Sequence, residues 1–146
     1  MVGRPVSVGR PELCVGVVAV SGAHLLMIRR GTEPEIGQWS LPGGRVEAAE
    51  SVVSAVVREL AEETGLEGVC GPFMGWVERS GFGHHHVILN FEVTLLGDAD
   101  PVAGDDASEV RWVPLLEVAG TDLVDGMHAF LLEHGVLPGG PVLGGS

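Results

Sequence analysis

The chain has 146 residues, 45% of them apolar, and its 20 acidic side chains against 8 basic ones give a net charge of −12. That length suits one domain with a sizeable core, the apolar content excludes a disordered chain, and the acidic balance argues against a protein that grips nucleic acid through its phosphates. All eight basic residues are Arg and no Lys is present, which excludes a lysine nucleophile, a Schiff base and a P-loop lysine.

In chain order, residues 1–11 carry Gly, Pro and Arg without periodicity and read as an N-terminal arm. The β-branched run Leu13–Val20 predicts a strand buried on both faces, and Ser21-Gly22 a tight turn into a second strand at His24–Arg30. A loop at 31–37 leads to Trp39 and on to Gly43-Gly44. Val52, Val53, Val56, Val57 and Leu60 recur as one stripe of a helix, and Gly65 stands where a left-handed C-terminal cap is expected. A looser strand region, 68–79, is broken by Gly71-Pro72 and Gly75. His84–Leu96 alternates, with His85, Val87, Leu89 and Phe91 on one face and His84, His86, Ile88 and Asn90 on the other. After an acidic loop, Gly97–Ser108, come a short strand at Val110–Val113, a second helix at Asp122–His134 and a Gly- and Pro-rich tail over 138–146. The order predicts an α/β fold, a mixed sheet sandwiched between helices, in a single domain over 12–137.

Cys14 and Cys70 are too few for a disulfide framework or a four-Cys zinc site and read as small buried hydrophobes of a reducing compartment. The longest apolar run is too short to span a bilayer, and the amino terminus lacks the apolar stretch of a secretory signal. A cytoplasmic protein with neither membrane nor nucleic-acid partners is therefore expected.

Glu59, Glu62 and Glu63 are spaced i, i+3, i+4 on the first helix. Like charges at this spacing cost about 0.2–0.5 kcal/mol per pair, and a helix C-terminus is the wrong end for anions. A hard cation, Mg²⁺ with Mn²⁺ as substitute, would explain the crowding, since the donors are carboxylates without thiols. Taken alone, the acids fit a solvated helix face as well. The residues around them decide the matter. Gly44, five residues, Glu50, seven residues, then Arg58-Glu59-Leu60-Ala61-Glu62-Glu63-Thr64-Gly65-Leu66 resembles the Nudix box at every specified position.

The resemblance implies a Nudix fold and a metal-dependent hydrolase. Its substrate would be a nucleoside diphosphate linked to a further group, cleaved to a nucleoside monophosphate and the phosphorylated remainder. It implies Glu62 and Glu63 as principal metal ligands and Glu59 as a further ligand or the base that deprotonates water. The Gly43 carbonyl would join the metal shell, and Arg58 would orient the glutamates. Glu50 is either a helix N-terminal acid or a catalytic group. The family's last acid often comes from a loop before the final strand; Asp106 matches that place best, with Asp105 and Glu109 as rivals. Three adjacent histidines on a strand cannot converge on one ion; His86 and Asn90 are candidate substrate contacts, whereas His85 is expected to be buried. Arg29 is a candidate phosphate contact, and Trp39, Trp76 and Phe82 are candidates to stack on a base.

The stretches 30–44 and 103–107 resemble small bacterial ADP-ribose pyrophosphatase-like members, although Phe82 stands where a proline often marks such enzymes. ADP-ribose or a similar nucleotide sugar is the first substrate expectation, and a housecleaning activity on damaged nucleoside triphosphates the second. The rival readings are a non-catalytic nucleotide-sensing Nudix domain and a structural metal-binding module. A homodimer stays open.

Overall fold

The computed structural model describes residues 10–81 and 83–139. Its elements are β1 (Glu12–Val18), β2 (Val20–Ser21), β3 (His24–Arg30), β4 (Trp39–Ser40), β5 (Gly43–Arg45), α1 (Val52–Thr64), β6 (Glu67–Gly81), β7 (His84–Leu96), β8 (Ala107–Pro114), a 3-10 turn (Val118–Gly120) and α2 (Met127–Glu133). Residues 1–9 of the arm, the end of the tail and Phe82 lie outside the described residues.

The strands form two four-stranded sheets where one mixed sheet was expected. The first runs β5-β1-β7-β6 and is mixed, because β1 and β7 pair in parallel while the other neighbours are antiparallel. The second is built on β3, with β8 along one side and β2 and β4 sharing the other. β1 and β3 are buried on both faces and divide the core. Val15, Val17 and Leu26 pack with Val56 and Leu60 of α1. Val18, Leu25 and Met27 pack with Phe130 and Leu131 of α2. The two helices thus cover opposite faces, as expected for an α/β sandwich.

α1 begins where Ser51 accepts the Ser54 N–H (3.1 Å) and ends at Gly65, at φ +73°, whose N–H reaches the Ala61 carbonyl. Its buried stripe is rotated from the valine pattern: Ala55, Val56, Leu60, Glu63 and Thr64 face inward, while Val53 is 54% exposed. Gly71-Pro72 and Gly75 do not break β6. They fall where its pairing with β7 shifts register, so the strand bulges and continues. α2 is shorter than expected because residues 122–124 pair instead with β4: Trp39 N–H bonds the Asp122 carbonyl and Val124 N–H the Trp39 carbonyl. Gly126, at φ +81°, then starts the helix. Among the described residues, no helix is long and apolar enough to cross a membrane.

Candidate active site

The C-terminal half of α1 faces β5 at very short range. The Gly43 N–H donates to Glu63 Oε1 (2.8 Å). A Cβ at Gly44 would overlap the Glu59 carboxylate, and one at Gly43 would overlap the Val15 carbonyl oxygen. Neither glycine has a left-handed φ; both lie in a strand that a side chain would hold away from α1 and β1.

Arg58 ties the acids together. Its guanidinium holds Glu50 through two bonds (2.7 and 2.9 Å), Glu59 at 2.9 Å, Glu62 at 3.0 Å and the Arg45 carbonyl at 2.8 Å. The two-pronged partner is Glu50, whose carboxyl falls to about 2 through those bonds to Arg58. Glu50 is thus committed to Arg58 and does not line the cavity described below.

The late acidic loop is fastened to the last turn of α1. The Val102 N–H bonds the Thr64 carbonyl (2.8 Å) and the Gly104 N–H the Glu63 carbonyl (2.9 Å), satisfying carbonyls that a helix C-terminus leaves open. Gly104 is needed for close approach, since a Cβ there would strike the Glu62 carbonyl. This docking brings Asp106 near Glu59 and Glu63, both of which feel its charge. Glu109 is turned away onto Arg111 (2.6 Å), and Asp105 does not reach the cavity.

Burial pushes the Glu63 carboxyl up to about 7, with Glu59 and Asp106 adding to the rise against the Gly43 N–H. Burial also raises Glu59, against the pull of Arg58. Carboxylates brought near one another in a desolvated corner suit a hard divalent cation. Among the described residues, no three His, Cys, Asp or Glu side chains already surround one point. Glu62 in particular is drawn outward to Arg58 and its side chain is 58% exposed, so it would have to swing inward to join Glu59 and Glu63.

These groups form one wall of a cavity of about 960 Å³, which Gly43, Arg58, Glu59, Glu62, Glu63, His86, Asn90 and Asp106 all line. Its floor is the face of the first sheet, where the strand register sets three rows. Gly16, Asn90 and Gly75 are neighbours in one; Cys14, Ile88 and Val77 in the next; Glu12, His86 and Arg79 in the outermost. His86 is in reach of Glu12 (3.3 Å). Phe130 and Met127 of α2 close the side opposite α1.

Several expectations need correction. Arg29 lies outside the cavity and donates to the Gly37 carbonyl (2.9 Å); its neighbour Arg30 lines the cavity instead. Strand alternation separates the two, and the register shift between them in the β3–β8 pairing hides which faces inward. His85 is not buried but pairs with Glu78 (2.7 Å) at the surface. Cys70 is only half-buried, whereas Cys14 is buried and its thiol is pushed up to about 11 by burial and Glu12. Trp39 belongs to the α2-side core with Arg111 over its ring, and Trp76 is 55% exposed away from the cavity. Arg30, Arg79 and Phe130 were not singled out in the sequence; only the face parity of their strands and helix could have marked them.

The NUDIX domain family matches residues 10–133. The ADP-ribose pyrophosphatase of Methanocaldococcus jannaschii is 36% identical over 108 residues, 72% of this chain but only 63% of that protein, so the chain spans less than two-thirds of that relative. A Mycobacterium tuberculosis protein provisionally named 8-oxo-dGTP diphosphatase 2 is 46% identical over 121 residues, covering 77% of this chain and 80% of its own length. Among solved structures, the MutT protein of Methanosarcina mazei superposes with a TM-score of 0.79 at 26% identity, covering 87% of this chain and 95% of that one.

Proposed function

The chain belongs to the Nudix family, and from that premise we propose that its 12–137 domain is a pyrophosphohydrolase. It would use Mg²⁺, or Mn²⁺ in its place, to cleave a nucleoside diphosphate linked to a further group. The observation that carries this reading is that Glu59, Glu63 and Asp106, from two separate segments, line one large cavity with Gly43 and Gly44 and feel one another's charge. A solvated acidic face would not bury Glu63 to 8% exposure.

Glu59, Glu62, Glu63 and the Gly43 carbonyl would hold the cation. When bound, it neutralises the pyrophosphate and makes the attacking water more acidic. Arg58 keeps the glutamates in place by holding Glu59 and Glu62 from one side. Glu59, raised by burial, is well suited to take the proton from water, and the charge of Asp106, on the same cavity wall, adds to that rise. Arg30 adds fixed positive charge for phosphate oxygens on a chain whose net charge of −12 otherwise repels them, whereas Arg79, also on the cavity wall, is paired with Glu35.

On substrate, the resemblance of residues 30–44 favours ADP-ribose. The M. tuberculosis relative, with higher identity over a larger share of both chains, supports an oxidised deoxynucleoside triphosphate. We place the triphosphate first and ADP-ribose second. A sensing domain is disfavoured because all the box carboxylates are kept. The test is a panel of 8-oxo-dGTP, dGTP, CTP and ADP-ribose with Mg²⁺, read by product chromatography. Hydrolysis of at least one, abolished by EDTA, is expected; turnover of none, or turnover that survives EDTA, overturns the reading.

A further inference from the structure

We propose that Asn90 reads an edge of the nucleobase and so sets which nucleotide the cavity accepts, an inference that rests on the nucleotide reading above. Asn90 is 3% exposed, yet its carboxamide forms no hydrogen bond with any described residue. Every fully sealed side-chain nitrogen or oxygen among the described residues has a partner. The unpartnered Asn90 amide is therefore not fully sealed, and the residue lines the cavity. A buried amide costs free energy unless something completes its bonds, so this one is built for a polar ligand group.

The surroundings hold the amide in place. On β1, the carboxamide fills the space above Gly16, where a Cβ would collide with its Oδ1. On β6, its neighbour is Gly75, and the space above that glycine is taken by His134 and Phe130, whose rings stack 4.4 Å apart. Any side chain at position 16 would displace the amide. The next row outward, Cys14, Ile88 and Val77, is apolar and offers a flat surface for a ring.

Position relative to the carboxylates fixes the role. Gly43, Gly16 and Asn90 are register neighbours on β5, β1 and β7, so Asn90 is two strand spacings, about 10 Å, from the backbone that bonds Glu63. A nucleotide with its reacting phosphate at the carboxylates extends its base toward Asn90. A carboxamide offers one acceptor beside donors, so it pairs with an edge that presents one donor beside one acceptor, as adenine does at N6 and N7. It pairs poorly with an edge that presents two acceptors.

The experiment measures binding of dATP, dGTP, 8-oxo-dGTP and the base-free 2-deoxyribose 5-triphosphate by titration calorimetry with Ca²⁺, and hydrolysis of the same four with Mg²⁺. The wild-type protein should spend at least about tenfold in affinity separating the bases. Asn90→Leu, of similar shape and next to Ile88, should narrow that span to about twofold and weaken the best nucleotide at least about tenfold more than the base-free compound. Asn90→Asp, with acceptors only, should reorder the bases. Asn90→Ser repeats the test with a smaller polar side chain if the Leu variant does not fold. Equal losses on the base-free compound, or a base ranking that survives both substitutions, would overturn the proposal. Base-ranked binding that Asn90 controls, without hydrolysis, would instead support it and overturn the hydrolase reading alone.

Discussion

The two ends of the cavity are built in different ways. At the carboxylate end, Glu59, Glu62, Glu63 and Arg58 come from two turns of one helix, and their mutual geometry follows from the helical repeat. At the far end, Glu12, Arg79, His86 and Asn90 come from three strands, β1, β6 and β7, and meet only because those strands pair in one register. A one-residue slip of any of these strands would turn its own contribution to the other face. Chemistry encoded in one helix survives changes elsewhere, whereas recognition assembled across strands can be retuned strand by strand. Substitutions at the two ends should therefore differ in kind: losses of turnover at the first, changes in selectivity or affinity at the second.

The sharpest way to break this contrast is to neutralise the helix acids. Glu59→Gln and Glu63→Gln should each lower the turnover number by about 10²–10⁴-fold, the range for a lost general base or its equivalent, with circular dichroism unchanged. A proportionate loss of fold instead would make the acids structural and the contrast empty.

The same helix predicts a stability signature in metal-free protein. Glu63 is raised from 4.5 to about 7 by burial, so the folded state binds the proton more tightly than the unfolded state. The associated stability is fully present below pH 4.5 and is lost as pH rises through 7, by at most about 3 kcal/mol. Glu50 works in the opposite sense and lower down: lowered to about 2 by Arg58, it adds stability as pH climbs from 2 to 4.5. Denaturant titrations in EDTA should show stability falling from pH 5 to 7.5, and the Glu63→Gln variant should lose most of that fall, the remainder belonging to Glu59, which burial also raises. A wild-type curve flat across this window would show that the Glu63 carboxyl is solvated.

Asp106 joins the first end from a different segment and tests how far that end extends. Asp106→Asn should lower the turnover number at least about tenfold with a smaller change in KM, because its charge reaches Glu59 and Glu63 on the wall of the same cavity. Asp105→Asn should do much less. Equal, near-wild-type rates for both would remove the loop from the reaction.

The same difference governs what the amino-acid sequence discloses. The box carboxylates are legible because helical spacing is local: 59, 62 and 63 share a side wherever that helix packs. The mixed sheet order and the two covering helices follow from the alternation at 84–96 and the stripe at 52–60. The division into two sheets does not, because it depends on β3 taking β8 along one side. The start of α2 is misread because the backbone of residues 122–124 is drawn to Trp39, a contact about 84 positions away in the chain that no local pattern announces. Gly43, Gly44 and Gly104 stand out as glycines, but the reason lies across space, in the Val15 carbonyl, the Glu59 carboxylate and the Glu62 carbonyl.

The smallest expected effect separates two adjacent residues at the end of β3. Arg30 lines the cavity and its charge reaches the Glu63 carboxyl, while its Nε donates to the Pro34 carbonyl (2.6 Å) and fixes the guanidinium. Arg29 is exposed, bonds the Gly37 carbonyl and stands opposite Glu109 of β8. A fixed guanidinium near a phosphate strengthens binding of ground state and transition state alike, so its loss appears mainly in KM. Arg30→Met should raise KM several-fold with little change in the turnover number, and added salt should narrow the difference from wild type. Arg29→Met should change KM by less than about twofold. If Arg29→Met raised KM as much as Arg30→Met, the register shift at the end of β3 would leave both side chains free to reach the substrate. Recognition at this end would then depend on loop motion rather than on strand parity.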